Sequence, residues 1–362
     1  MKPATNPGRT TIRSVVIGLL PTAAPFAAVA TALAPVERLY LRHGHRANSF
    51  SAAFDPDLER HVTDQGFVAF ARHECTKTSL AFFDPVCAEA HMETVLDAFM
   101  ERERQRGRVA FWKVSTATAR YLCARHGFAA APYGTEHALD LSGDMLRGPK
   151  RRNLRRDVNN ARKAGARVEV VEAADASLTT CERRWLAARP QSREIRRATR
   201  RCRAAPEPYC TKVRAVDDNG ETLGWAAFDH CYRDGDLVGA GFSTVRWDPG
   251  APKGLPSLLA VDGAALVAQD SDTFRLELGE APLAPLPTRL AEDFKGLPFV
   301  SAVTRLVYDR GRLLYNARGI SDWKRKWRAD QQALWICCER DPPVVETVAA
   351  LALIYDPFER GA

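Results

Sequence analysis

The sequence has no Cys-x-x-Cys pair, no zinc-type spacing of cysteine and histidine, and no low-complexity tract. Its nine cysteines are an odd number, and the adjacent Cys337 and Cys338 cannot easily bridge to each other. These absences exclude a disulfide framework and a structural zinc site, and they fit a reducing cytosol. Charge-free stretches are scarce. The notable one, residues 14–36, follows Lys2, Arg9 and Arg13 and superficially resembles an anchor or signal peptide. Pro21, Pro25 and Pro35 interrupt it, however, and Arg38, Arg42 and Arg46 follow it. Prolines are costly inside a helix, and flanking cations on both sides give no clear topology. A tail or peripheral helix is expected there rather than a membrane span.

At 362 residues, the chain is long enough for two domains with separate cores. Its +8 net charge is unevenly spread: residues 150–203 hold 17 Lys/Arg against six Asp/Glu, leaving the rest slightly acidic. A basic zone on an otherwise near-neutral protein suits a polyanion, either nucleic acid or an anionic membrane surface.

Residues 65–72 and 78–83 read as paired strands, with Asp84-Pro85 closing the second. Met92, Val95, Leu96, Phe99 and Met100 recur at helical spacing, which predicts a helix over 88–106. A strand over 108–114, a helix over 116–125 ending at Gly127 and a strand over 136–141 follow. The second half repeats this order. Strands are expected over 211–216, 224–232 and 237–246, then a helix over about 256–269 and a strand over 274–278. Between the halves, helices are expected from Pro149 to Lys163 and from Asp175 to Ala188, with Asp175 as a cap. Each half thus runs hairpin, loop, helix, strand, which a mixed sheet with flanking helices satisfies.

The most informative run is 319–328, Gly-Ile-Ser-Asp-Trp-Lys-Arg-Lys-Trp-Arg. On a helix, Trp323 and Trp327 share a face while Lys324, Arg325 and Lys326 fan across the sides. That is either a solvated basic face or a rigid cationic comb for a phosphate-bearing ligand.

Other motifs make the reading specific. Gly134-Thr135-Glu136, Asp140-Leu141 and the helix Arg152-Asn153-Leu154-Arg155-Arg156-Asp157-Val158-Asn159-Asn160-Ala161-Arg162-Lys163-Ala164-Gly165 come first. Trp185-Leu186, Arg246 with Asp248-Pro249 and Ala251-Pro252-Lys253-Gly254, and Leu278-Gly279-Glu280-Ala281-Pro282-Leu283 follow in order. With Asp84-Pro85 near the start and the Trp-Lys-Arg-Lys-Trp run at the end, this set resembles the aminoacyl-phosphatidylglycerol synthases over roughly residues 40–355.

The resemblance implies an α+β, tandem acetyltransferase-like (dual GNAT) fold with two mixed sheets flanked by helices. It implies a tail or anchor over 1–38, one acetyltransferase-like domain over 39–145, basic connecting helices over 146–205 and a second such domain over 206–362. The implied activity is transfer of an aminoacyl group from aminoacyl-tRNA to a lipid of phosphatidylglycerol type or to a small-molecule hydroxyl or amine, without metal or redox cofactor. The place implied is the cytoplasm, free, peripheral or N-terminally anchored at the inner face of the cell membrane.

Several positions depart from the family pattern. Ser243 and Ser257 replace acidic residues, Glu280 replaces a methionine, and Ala329 and Gln331 stand where a proline and a tryptophan are expected. These changes cluster where acceptor and ester should meet.

An aminoacyl ester is already activated. Its transfer needs positioning, oxyanion stabilisation and a proton carrier, and its tRNA carrier calls for Lys and Arg. Lys324 and Lys326 suit phosphate or oxyanion contacts, and Arg246 lies at a strand end beside a Pro/Gly loop. Glu280 suits a general base or a partner for the aminoacyl amino group, against a plain surface carboxylate. Asp84 either caps the following helix or binds substrate, and Glu136 orients a strand pair or an arginine. Arg152, Arg155, Arg156, Arg162 and Lys163 either contact phosphate or form a solvated face. His43 and His45 are expected on an exposed segment.

Two competing functions remain open. One is an acyl-CoA-dependent N-acyltransferase, weakened because Pro256 breaks the Q/R-x-x-G-x-G/A signature. The other is a decayed tRNA- or membrane-binding module, suggested by Ser243 and Ser257.

Overall fold

The computed structural model describes residues 34–74, 76–141, 145–189, 204–268, 274–310 and 316–339. The uncharged stretch up to residue 33 and the arginine-dense run 190–203 lie outside these. Among the described residues, no helix is long and apolar enough to cross a membrane.

Helices α1 (Pro35–His43) and α2 (Ser49–Phe54) lead into β1 (Glu59–Val62), β2 (Gly66–His73) and β3 (Thr78–Cys87). Then come α3 (Met92–Arg104), β4 (Arg108–Ser115), α4 (Thr116–His126) and β5 (Ala129–Asp140). The second half holds α5 (Arg152–Lys163), β6 (Arg167–Val170), α6 (Ala176–Ala187) and β7 (Cys210–Val216). It continues with β8 (Thr222–Arg233), β9 (Asp236–Trp247), α7 (Leu255–Val267), β10 (Arg275–Pro282), α8 (Pro298–Arg310), α9 (Ala317–Arg325) and β11 (Asp330–Cys338).

Local chemistry accounts for several boundaries. The Ser115 hydroxyl accepts from the Thr118 amide at the start of α4, and Gly127 ends that helix in the left-handed region at φ 74. The Asp175 side chain accepts from the Ser177 amide, as expected of a cap. Helix α3 buries Val95, Leu96, Phe99 and Met100, the stripe read from the sequence.

The two expected mixed sheets are joined into one of eleven strands, ordered β1-β2-β3-β4-β11-β5-β10-β9-β8-β7-β6. Each half contributes a hairpin followed, after a helix, by a parallel strand: β3 pairs with β4 and β9 with β10 in parallel. The join comes from exchange. The last strand, β11, inserts between β4 and β5 of the first half, while the far end of β5 pairs with β10 of the second. The long β5 therefore belongs to both halves, and the middle of the sheet is the seam between them. Strand β5 starts seven residues before the expected 136, and α1, α2, β1, β6, α8 and β11 are elements beyond those expected from the sequence.

Helices cover both faces. Helix α7 carries one charge, Asp262, and buries Leu255, Leu258, Leu259, Ala260 and Ala264, as befits a helix packed on a sheet and on α5. The motif glycine Gly254 starts it at φ 94, and an added Cβ would lie 2.0 Å from the Asp157 carbonyl oxygen, so the approach of α5 to α7 requires glycine.

Candidate active site at the seam of the sheet

Four backbone irregularities fall in one band across the seam. Lys113 is the extra residue of a bulge in β4, since Trp335 pairs with Val114 but Ile336 with Trp112. Tyr133 is its counterpart in β5 and Leu278 in β10. Phe83, just beyond the last β3–β4 pair, has φ 66, and Lys113 has φ 65. Bulges re-aim side chains that strict alternation would place elsewhere. Gly134 sits here at φ 155, where a Cβ would lie 2.3 Å from the Ala281 carbonyl oxygen, so the motif glycine lets β5 and β10 close.

The re-aimed groups converge on Glu280. Lys113 Nζ stands 2.9 Å from Glu280 Oε2, with side chains only 4% and 10% exposed. The Tyr133 hydroxyl donates to the same oxygen at 3.2 Å, and the Lys113 ammonium lies over the Phe83 and Tyr133 rings. Lys324, buried on α9, donates from Nζ to the Glu280 backbone carbonyl.

Glu280 and Glu136 are direct partners across the β10–β5 ladder, so two carboxyl groups share one patch of sheet. Burial, then Glu277 and Glu280, raise the Glu136 carboxyl to about 8, so it is mostly protonated at neutral pH. Asn48 Nδ2 donates to Glu136 Oε1 at 3.1 Å. Burial acts oppositely on Lys324. It lowers the amine to about 7 against the pull of Glu280 and Glu136, so neutral amine and ammonium are both populated near neutrality. Burial, helped by Lys324, also lowers the nearby His137 imidazole to about 4.

Asp84 caps no helix of its own. Its Oδ1 accepts from the Ser115 amide at 2.8 Å, across the point where β3 and β4 splay apart, and its other oxygen takes Arg46 from the α1–α2 loop. Arg46 and Glu136 line two adjoining cavities. One, of about 700 Å³, runs past Phe83, Asp84 and Lys113 in the first half. The other, of about 610 Å³, runs past Asp140, Arg275 and Glu277 towards the second. His45 lines both cavities and His43 the first, so neither stands on an isolated exposed segment.

The remaining expected site residues lie apart from this band. Arg246 is buried, with its guanidinium 4.2 Å over the Trp185 ring and 3.8 Å from Glu182, which ties two family motifs together away from Glu280. Lys326 pairs with Asp157 of α5 at 2.6 Å. The Ser257 hydroxyl receives the Trp323 indole N–H at 3.0 Å, and the Ser243 hydroxyl donates to the Ala227 carbonyl. Arg155 donates to the Leu146 and Gly148 carbonyls, and Arg162 pairs with Asp262. Arg152, Arg156 and Lys163 face solvent.

The three consecutive cations of the run 319–328 therefore point in three different directions. Trp323 and Trp327 do touch, at 5.4 Å between rings, and Trp327 is fully buried. Deleting such a tryptophan costs about 3–5 kcal/mol, whereas the exposed Arg325–Asp322 pair contributes about 0–1 kcal/mol. Apolar packing sets the rotation of α9, and that rotation turns Lys324 inward, Lys326 towards α5 and Arg325 outward.

Lys113, Tyr133, Arg46 and Glu277 were not among the expected site residues. One signal for Lys113 was present: it is the lone charge in the apolar run Val109-Ala110-Phe111-Trp112-Lys113-Val114.

The family model described as "Phosphatidylglycerol lysyltransferase, C-terminal" matches residues 37–338. The chain resembles the solved structure of L-PGS from Bacillus licheniformis, with a TM-score of 0.72 and 17% identity over 90% of this chain and 96% of that one. It also resembles a C-terminal domain assigned to lysylphosphatidylglycerol synthetase from Agrobacterium fabrum. There the TM-score is 0.68 and the identity 20%, over 93% of this chain and all of that one. At these identities the structural likeness speaks for the fold, which is the tandem acetyltransferase-like fold expected from the sequence. No curated protein matches the sequence.

Proposed function

This chain belongs to the phosphatidylglycerol lysyltransferase C-terminal family, a transferase family, and from that premise we propose that it moves an aminoacyl group from aminoacyl-tRNA to the hydroxyl of a phosphatidylglycerol-type lipid. The observation that carries the chemistry is Lys324: a buried amine lowered to about 7, bonded to the Glu280 carbonyl and within electrostatic reach of Glu136 and Lys113 at the seam of the sheet. A proton carrier works best when its pKa lies near the operating pH.

Neutral Lys324 takes the proton of the acceptor hydroxyl as that oxygen attacks the ester carbonyl carbon. The protonated Glu136 carboxyl and the Lys113 ammonium, held by Glu280 and two rings, face the negative charge that gathers on the carbonyl oxygen. The intermediate collapses by breaking the bond from the carbonyl carbon to the ribose oxygen, and the Lys324 ammonium returns the proton to that oxygen. The aminoacyl group ends on the lipid, the tRNA leaves with a free hydroxyl, and no external acid or base is consumed.

The donor's phosphates suit Arg152, Arg156 and Lys163 on α5. That helix is tied to α9 by Lys326–Asp157 and by Arg151, which donates to the Trp327 carbonyl at 3.1 Å. An acyl-CoA donor is less well supported, because Asp157 packs against the glycine that opens α7, where a pyrophosphate would have to approach.

The test uses radiolabelled aminoacyl-tRNAs with phosphatidylglycerol vesicles, and acetyl-CoA as a parallel donor. Ribonuclease-sensitive label in the lipid supports the reading. Ribonuclease-insensitive transfer from acetyl-CoA alone would overturn it.

A further inference from the structure

Among the described residues, only three large apolar side chains are strongly exposed, and two share helix α8: Phe299 at 49% and Leu306 at 55%. The third, Val62, lies on edge strand β1. Phe299, Ala302, Val303 and Leu306 recur at helical spacing, so they form one stripe along α8. Monomer surfaces carry scattered apolar residues, but a stripe on one helix marks a contact surface.

The inner side of the same helix is anchored. Val300 and the preceding Leu297 are buried in the cluster that holds Tyr133 and Leu334. Helix α8 also packs against β5, which carries Glu136, and against α9, which carries Lys324. The stripe thus lies one layer outside the candidate active site. Its charge is slightly positive: Arg305 and Arg310 are exposed against Asp309 on the helix, and Lys295 stands exposed beside Asp293 just before it.

We propose that the outward face of α8 docks on an anionic lipid bilayer, with Phe299 and Leu306 entering the headgroup boundary and Arg305, Arg310 and Lys295 meeting acidic headgroups. An amphipathic helix lying in the interface has this composition, and cations near the surface add attraction to acidic lipids. A stripe of this length anchors reversibly. It brings the seam to its acceptor without burying the whole protein. This inference rests on the lipid-acceptor reading above.

The experiment is flotation of the full chain, treated with ribonuclease, with vesicles of phosphatidylcholine alone or with about one third phosphatidylglycerol. The expected result is binding to the anionic vesicles that falls about fivefold or more in the Phe299→Ser/Leu306→Ser variant and, separately, in Arg305→Glu/Arg310→Glu. Melting temperatures should be unchanged, and so should transfer to a detergent-dispersed acceptor. Equal flotation of wild type and both variants overturns the docking surface, as does loss of binding in wild type once ribonuclease has removed bound RNA. If flotation follows the expectation while no transfer occurs with any acceptor, the proposed function fails and the docking surface stands.

Discussion

Lys113 and Glu280 meet at 2.9 Å from strands of different halves, β4 and β10, with β11 and β5 lying between those strands in the sheet. Neither side chain could reach the other from a regular ladder. The bulges at Lys113, Tyr133 and Leu278 tilt the intervening band so that a lysine and a glutamate cross the seam. The pair is buried, so its loss is felt as an uncompensated charge rather than as one surface contact fewer.

The first expectation follows directly. Lys113→Met and Glu280→Gln should each destabilise the protein by about 3–5 kcal/mol, because each leaves its partner's charge buried. The double variant should cost less than the two together, with a coupling of about 1–3 kcal/mol. Urea unfolding of the four proteins measures the cycle. Additive losses would mean that the two side chains do not support each other.

Glu136 should make stability depend on pH. The folded carboxyl titrates at about 8 against an ordinary 4.5, so between these values the folded protein holds a proton that the unfolded chain has lost. Stability contributed this way is present below 4.5 and is lost as pH rises towards 8. Glu136→Gln removes that loss. Between pH 5 and 6, below the range in which Lys324 titrates in the opposite sense, the melting temperature of the variant relative to wild type should rise by about 1–2 °C. A gap that stays constant with pH would show that Glu136 titrates normally.

Arginines of α5 should separate into two groups. Arg152→Ala and Arg156→Ala remove solvent-facing charges and should each lower the salt slope of tRNA binding by about one. Arg155 holds the Leu146 and Gly148 carbonyls, so Arg155→Ala should show mainly as lost stability. Binding measured across a salt series, alongside thermal melts, distinguishes the groups. Unchanged slopes for Arg152→Ala and Arg156→Ala would remove α5 from the donor surface.

Alternating and helical periodicities made most of the central elements legible in the sequence: the β2–β3 hairpin, α3, β7 to β9 and α7 lie where the patterns put them, within a few residues. Strand β11 was missed because its value lies in pairing with strands far away in the chain. The start of β5 was hidden by an alanine-rich run containing Pro132, which carries little strand propensity. At the candidate site, motif resemblance named Glu136, Glu280, Lys324 and Asp84, which the fold gathers around one seam. Lys113 and Tyr133 escaped because a bulge is a register event between strands, and a single sequence does not display register. The inward turn of Lys324 and the outward turn of Arg325 escaped for a related reason. The tryptophan packing that sets the rotation of α9 exists only once Phe242 stacks on Trp323 and Ser257 receives its indole N–H.

Single-turnover transfer from preloaded aminoacyl-tRNA to phosphatidylglycerol vesicles tests whether Lys324 carries the proton. With an amine at about 7, the wild-type rate should rise as pH increases through that value and level off above it. Lys324→Met should slow transfer by about 100- to 10,000-fold and flatten the profile, with tRNA affinity unchanged. A Lys324→Met protein that keeps near wild-type rates and the same rise through pH 7 would rule out Lys324 as the proton carrier.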